Sequence, residues 1–176
     1  MLNNSNQRQE YLQEVRLLLE KRHTNEWSSA LQQLREIERP LLLAMLTEML
    51  SDPDSEIRDG VAEALLRIEP GAGIPRVLSL TKDPQSHVRW YVCGLLHDFG
   101  DERAIEPLIE LIRTDPDSDV RYIACYALGE IGDMRALAPL QWVQQNDQGM
   151  DYEGRRVSEM AWEAIQSILA REHDRR

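Results

Sequence analysis

Cysteine is scarce in this chain, basic residues are outnumbered, and long apolar runs are missing. Two cysteines in 176 residues are too few for a disulfide framework. The core must therefore come from apolar burial, for which the length of one domain suffices. No apolar run approaches a membrane span. The first residues, Met1 to Gln7, lack a basic-then-apolar leader pattern, so the expected location is cytoplasmic. Twenty basic side chains face 31 acidic ones, for a formal net charge of −11. With no basic stripe, nucleic-acid binding by counterion release is excluded, and a partner with a basic surface is the better expectation. A glycine-rich phosphate loop, Cys-x-x-Cys and His-Glu-x-x-His are all absent. No catalytic, cofactor-binding or metal-binding residue is assigned. Cys93 and His97 lie four apart on one helical stretch, but Cys93 falls on the apolar stripe and His97 beside it.

What the chain does contain is one phrase written three times. Asp52-Pro53-Asp54-Ser55-Glu56-Ile57-Arg58 recurs as Asp83-Pro84-Gln85-Ser86-His87-Val88-Arg89 and as Asp115-Pro116-Asp117-Ser118-Asp119-Val120-Arg121. The arginines are 31 and 32 positions apart, a period that marks a stacked repeat. The aspartates and serine supply capping oxygens for a helix start. Counted from each arginine, positions −1, +3, +4, +7 and +10 are apolar, the stripe of an amphipathic helix. Gly100-Asp101 and Gly132-Asp133 read as stops, Pro70 to Gly73 as a looser turn, and a second helix follows each. One helical hairpin cannot bury so wide a face alone, but stacking can.

The predicted architecture is all-α, a right-handed α-solenoid of about four to five stacked hairpins. Clear repeats are expected at 52–82, 83–114 and 115–146 within a single domain spanning 8–171. Residues 8–50 read as noncanonical helices (9–22, 26–38 and 40–50), and 147–171 as a degenerate cap with Glu159, Glu163 and Arg171 on its outer face. Flexible ends are expected at 1–7 and 172–176.

The stretch from Asp115 to Leu140, with Val120, Arg121, Ala124, Ala127, Leu128, Gly129, Ile131, Gly132, Asp133, Ala136 and Pro139, resembles HEAT repeats, in particular the short units of the phycobilin lyase type. The resemblance implies a scaffold role for Arg58, Arg89 and Arg121, pairing along the stack with carboxylates near the turns, such as Asp52, Asp83 and Asp115. It also implies that the second helices line a concave groove, which would present Glu106 and Glu110. A bilin lyase subunit or phycobilisome-processing factor is the enzymatic alternative it carries, and only there would a cofactor, a bilin, be bound.

The positions that differ between copies are the candidate binding residues. Position +1 is Asp59, Trp90 and Tyr122, and position +5 is Glu63, Gly94 and Tyr126. Residues +1 and +5 are one turn apart on one face. Trp90, Tyr122 and Tyr126 are therefore expected side by side, flanked by Asp59, Glu63 and His97, as an aromatic and acidic protein-binding patch. Trp142 and Trp162 fall nearer the core periodicity and read as packing residues. The leading function is a non-catalytic interaction module or scaffold, a monomer or part of a hetero-complex. An inhibitor or immunity-type protein that masks a basic partner is the further alternative.

Overall fold

The computed structural model describes residues 5–174. It is an all-α fold of the solenoid class, in which ten α-helices and two 3₁₀ turns form the regular structure among the described residues. The helices gather into two compact units, Met1–Gly73 and Ile74–Arg176, where the sequence suggested one domain.

The first unit contains α1 (Ser5–Leu19), α2 (Trp27–Glu36), α3 (Arg39–Met49) and α4 (Ser55–Ile68). Val15, Leu19, Leu34, Leu42, Leu46, Ile57 and Leu65 form its core. Pro40 sits in the first turn of α3, where its missing N–H is harmless. Asp54 caps α4 by accepting the Glu56 N–H at 3.0 Å. α1 begins at Ser5, inside the stretch expected to be loose, and residues 1–4 lie outside the described residues.

The expected loose turn at Pro70–Gly73 is instead helical, the first half of α5 (Pro70–Val77). Proline at a helix start has its φ already set, which explains the early nucleation. Gly73 allows a close approach, because a Cβ there would stand 2.8 Å from the Leu65 carbonyl oxygen. After Pro75 the chain tightens into the 3₁₀ turn Leu78–Lys82.

The second unit continues with α6 (Ser86–Phe99), the 3₁₀ turn Glu102–Ala104, α7 (Ile105–Thr114), α8 (Ser118–Ile131), α9 (Met134–Asn146) and α10 (Val157–Asp174). α6 packs on α8, and α8 on α10, so first helices stack on first helices; α7 packs likewise on α9. Val88, Val92, Cys93 and Leu96 of α6 and Val120, Ala124, Cys125 and Leu128 of α8 are fully buried between these layers. α10 runs to Asp174, three residues into the expected tail, and residues 175–176 lie outside the described residues. Arg171 does not belong to the outer face. It donates to the carbonyl oxygens of Gly129 and, at 2.9 Å, Gly132, closing the orphan acceptors at the end of α8.

Gly100 and Gly132 end α6 and α8 with φ of −68° and −67°, outside the left-handed region. Glycine is needed there for space: a Cβ would stand 2.2 Å from the Leu96 oxygen and 2.3 Å from the Leu128 oxygen.

The repeat arginines join consecutive hairpins. Arg89 donates Nε and Nη2 to the two carboxylate oxygens of Asp115 at 2.6 and 2.8 Å, and Nη1 to the Asp83 carbonyl at 2.8 Å. Arg121 repeats this one unit on, with Asp147 at 2.6 and 3.0 Å and the Asp115 carbonyl at 2.9 Å. Each arginine thus takes the backbone of its own turn and the carboxylate of the next. Such two-pronged, charge-assisted bonds fix geometry as well as adding energy. The same aspartates hold their own loops, Asp115 accepting the Asp117 N–H at 3.0 Å and Asp147 the Gly149 N–H at 2.7 Å. In the first unit Arg58 donates to the Asp52 carbonyl at 2.8 Å, and Arg16 of α1 pairs with the Asp52 carboxylate.

Burial opposes ionisation of Asp147, but the Arg121 guanidinium and the Gly149 N–H outweigh it and hold its carboxyl below the usual range. A carboxyl depressed in the folded state stabilises the fold above its unfolded pKa of about 4, and this contribution is lost as pH falls through the folded value. Denaturant midpoints measured from pH 7 downward should therefore drop below about pH 4. Asp147→Asn should be less stable at pH 7 and lose less over that acid window. An unchanged acid slope in the variant would contradict the assignment.

Candidate functional site

The variable positions have different fates in the two units. On α4, Asp59 and Glu63 are buried, not at a binding surface. Glu63 accepts the Trp27 indole N–H at 2.9 Å and the Arg67 Nε at 2.7 Å. Asp59 lies 3.6 Å from the buried guanidinium of Arg22. The reason is topological: α1 and α2 pack against α4 and cover the face that its +1 and +5 positions present. Acidic residues stand there because a half-buried indole N–H and a buried guanidinium need acceptors. Both residues therefore leave the candidate surface.

On α6 and α8 the corresponding face carries rings. Tyr126 is 44% exposed and stacks on His97 with ring centroids 4.1 Å apart and planes 8° from parallel. His97 also contacts the Asp98 carboxylate through Nδ1 at 2.9 Å. Tyr122 is half-buried beneath the Arg155 guanidinium, whose central carbon lies 4.6 Å from the ring centroid. Arg155 is itself held by Asp151 at 2.7 Å. Trp90 is half-buried on the wall of a cavity of about 250 Å³, with His87 and Tyr152 as further rings and Asp117 and Asp119 as its carboxylates. Gly94, one turn after Trp90, faces open space: nothing stands within 4 Å of where a Cβ would be.

Tyr152 comes from the connection between α9 and α10, which the sequence places within the degenerate cap. It is in fact an ordered loop pinned to α8. Ser118 Oγ donates to the Met150 carbonyl at 2.7 Å, and the Tyr152 N–H donates to Asp119 at 2.7 Å. The Met150–Arg156 bridge and the left-handed Gly154, φ 80°, turn the loop back. The pinning leaves Tyr152 71% exposed.

Glu106 and Glu110 are exposed on α7, on the second-helix face of this unit. Each has a cation nearby, Arg135 at 3.7 Å from Glu106 and Lys82 at 3.4 Å from Glu110. Exposed pairs of this kind contribute little to stability, so the charges stay available to a partner. Glu110, with Arg89 and Asp115, lines a cavity of about 270 Å³.

Cys93 and Cys125 are fully buried, and burial pushes both thiols well above their ordinary range, which removes them as nucleophiles. Trp142 and Trp162 do not pack in the core; they are 55% and 51% exposed. Trp162 occupies the +4 position that holds Cys93 and Cys125 in complete repeats. On α10 no further hairpin covers that position within the described residues. No helix among these residues is long and apolar enough to cross a membrane.

The family model for HEAT repeats matches residues 74–161, half of the chain. A crystal structure of an engineered protein superposes with a TM-score of 0.53 at 21% identity, covering 89% of this chain and 79% of that one. At that identity the likeness concerns the fold alone. No curated protein matches the chain.

Substitution separates the tryptophans. Trp142→Ala and Trp162→Ala should shift stability by no more than about 1 kcal/mol. Trp27→Phe, which strips a donor from buried Glu63, should cost about 1–3 kcal/mol by chemical denaturation. A large loss in either alanine variant, with none in Trp27→Phe, would overturn this placement.

Proposed function

We propose, from the premise that the chain belongs to the HEAT-repeat family, that it is a non-catalytic interaction module whose second unit holds a protein partner through the aromatic face of α6 and α8. HEAT repeats generally mediate protein interactions or scaffolding, and they do so by presenting extended surfaces. The observation that carries the reading is the His97–Tyr126 stack, whose tyrosine is 44% exposed, together with Trp90 and Tyr152 on the wall of a cavity in the same unit. Exposed rings at the centre of a polar surface are the residues on which interfaces concentrate their energy. The net charge of −11 favours a basic partner surface and fast, salt-sensitive association. Glu106 and Glu110 extend the acidic surface on the second-helix face. Of the alternatives, an inhibitor or immunity-type role has the acidity in its favour, since masking a basic enzyme or toxin would use the same face. A bilin-processing role has only the resemblance.

The test is affinity capture from source lysate with mass spectrometry, comparing the parent chain with Tyr126→Ala and Trp90→Ala at matched folding. A partner retained by the parent should be weakened by about 2 kcal/mol, near thirtyfold, in each variant, and should elute with moderate salt. A captured set unchanged by both substitutions would remove this face from the function.

A further inference from the structure

The cavity beside Trp90 combines three features. Its walls carry rings, its carboxylates form no salt bridge among the described residues, and its size suits one side chain. Trp90 and His87 come from the first turns of α6, Asp117 and Asp119 from the start of α8, and Tyr152 from the pinned loop. At about 250 Å³ it lies below the range of a drug-sized ligand site and fits a single extended side chain or small cation.

The two carboxylates differ in their roles. Asp117 caps α8, accepting the Asp119 N–H at 2.9 Å. Burial opposes its ionisation, but the Ser86 hydroxyl, the N–H groups at the start of the helix and the nearby Arg89 hold its carboxyl below the usual range. Its charge therefore answers the positive end of the helix. Asp119 accepts the Tyr152 N–H through Oδ1, and neither carboxylate makes a salt bridge among the described residues. Elsewhere in the unit Asp115, Asp133, Asp147 and Asp151 are each paired with an arginine.

We propose that this cavity is a receptor for a guanidinium group, the side chain of an arginine on the bound protein, stacked against Trp90 with Tyr152 as the outer wall and donating to the carboxylate of Asp119. A guanidinium suits it better than an ammonium because its flat face lies on an indole while its edge donates in plane to a carboxylate. The chain already uses this arrangement internally: Arg155 lies over Tyr122 at 4.6 Å while its edge donates to Asp151 at 2.7 Å. Asp119, which forms no salt bridge among the described residues, and the rings of Trp90 and Tyr152 repeat that set without the arginine. The inference rests on the proposed role of the aromatic face in protein binding and names the chemistry of the anchoring residue.

The test uses the full chain and two small probes, N-acetyl-arginine amide and its neutral isostere N-acetyl-citrulline amide, followed by ¹H–¹⁵N NMR. The arginine probe should give saturable shifts at the Trp90 indole N–H and the Tyr152 amide, with the citrulline probe at least about tenfold weaker. Asp119→Asn, which keeps the acceptor for the Tyr152 N–H, should weaken the arginine probe about fivefold or more, as should Tyr152→Ala at an exposed position whose loss does not threaten folding. Trp90→Ala should abolish the saturable shifts, with a melt to check its fold. Equal binding of the two probes, shifts confined to other residues, or an Asp119→Asn variant that binds like the parent would each overturn the proposal. If the arginine probe fails while Tyr126→Ala still releases the captured partner, the cavity inference falls and the interaction face stands. The reverse pattern leaves the cavity and removes the face.

Discussion

The interaction on which the second unit depends is the two-pronged bond from a repeat arginine to the aspartate that opens the next turn. Arg89 to Asp115 and Arg121 to Asp147 have the same geometry, span the same 26 positions, and share the same second contact to a carbonyl six positions back in the arginine's own turn. One aspartate therefore orders its own loop and receives the preceding hairpin. The apolar stripe supplies the driving force for stacking, but it is non-directional and would tolerate sliding. The guanidinium fork does not tolerate it, because its donors match a carboxylate in one plane only. Once the register is set, α6, α8 and α10 lie as a layer, and Gly100 and Gly132 let the chain turn between layers where a methyl group would collide.

A repeat held this way leaves certain positions free of structural duty, and the two units treat them differently. Around α4 those positions are covered by α1 and α2, and they became buried acids serving Trp27 and Arg22. Around α6 and α8 they carry Trp90 and Tyr122, both half-buried, and Tyr126, which is exposed and stacks on His97. In the second unit the repeated residues hold the hairpins together, while the variable positions carry rings that this packing does not fully bury. That division, more than any single side chain, makes a protein-binding role the natural reading for an acidic chain of this family.

Much of the fold was legible in the sequence because its determinants are local and repeated. The Asp-Pro-x-x-x-Val-Arg phrase caps a helix wherever it occurs, and the apolar stripe follows from the helical period alone. What escaped depended on tertiary context. Asp147 continues the series Asp52, Asp83, Asp115, 32 positions after the last of them, yet no proline follows it, so the phrase hid the period. Arg16 reaches Asp52 from a helix without the motif. Asp59 and Glu63 looked like surface acids because nothing in a periodicity reveals a second layer lying over them. Trp162 looked like core because its position is core wherever another hairpin follows. Tyr152 had no signal of its own; only the hydrogen bonds of its loop to Ser118 and Asp119 give it a place.

The central claim is that the arginine–aspartate bond couples one hairpin to the next and does more than satisfy two isolated charges. A double-mutant cycle on Arg89→Met and Asp115→Asn, read by chemical denaturation, tests it most directly, since the asparagine keeps an acceptor for the Asp117 N–H. Each single change should destabilise the chain by about 3–5 kcal/mol, because it leaves a buried charge alone. The double variant should fall short of the sum by at least about 1–3 kcal/mol. Losses that add within about 0.5 kcal/mol would show two independent residues and contradict the account.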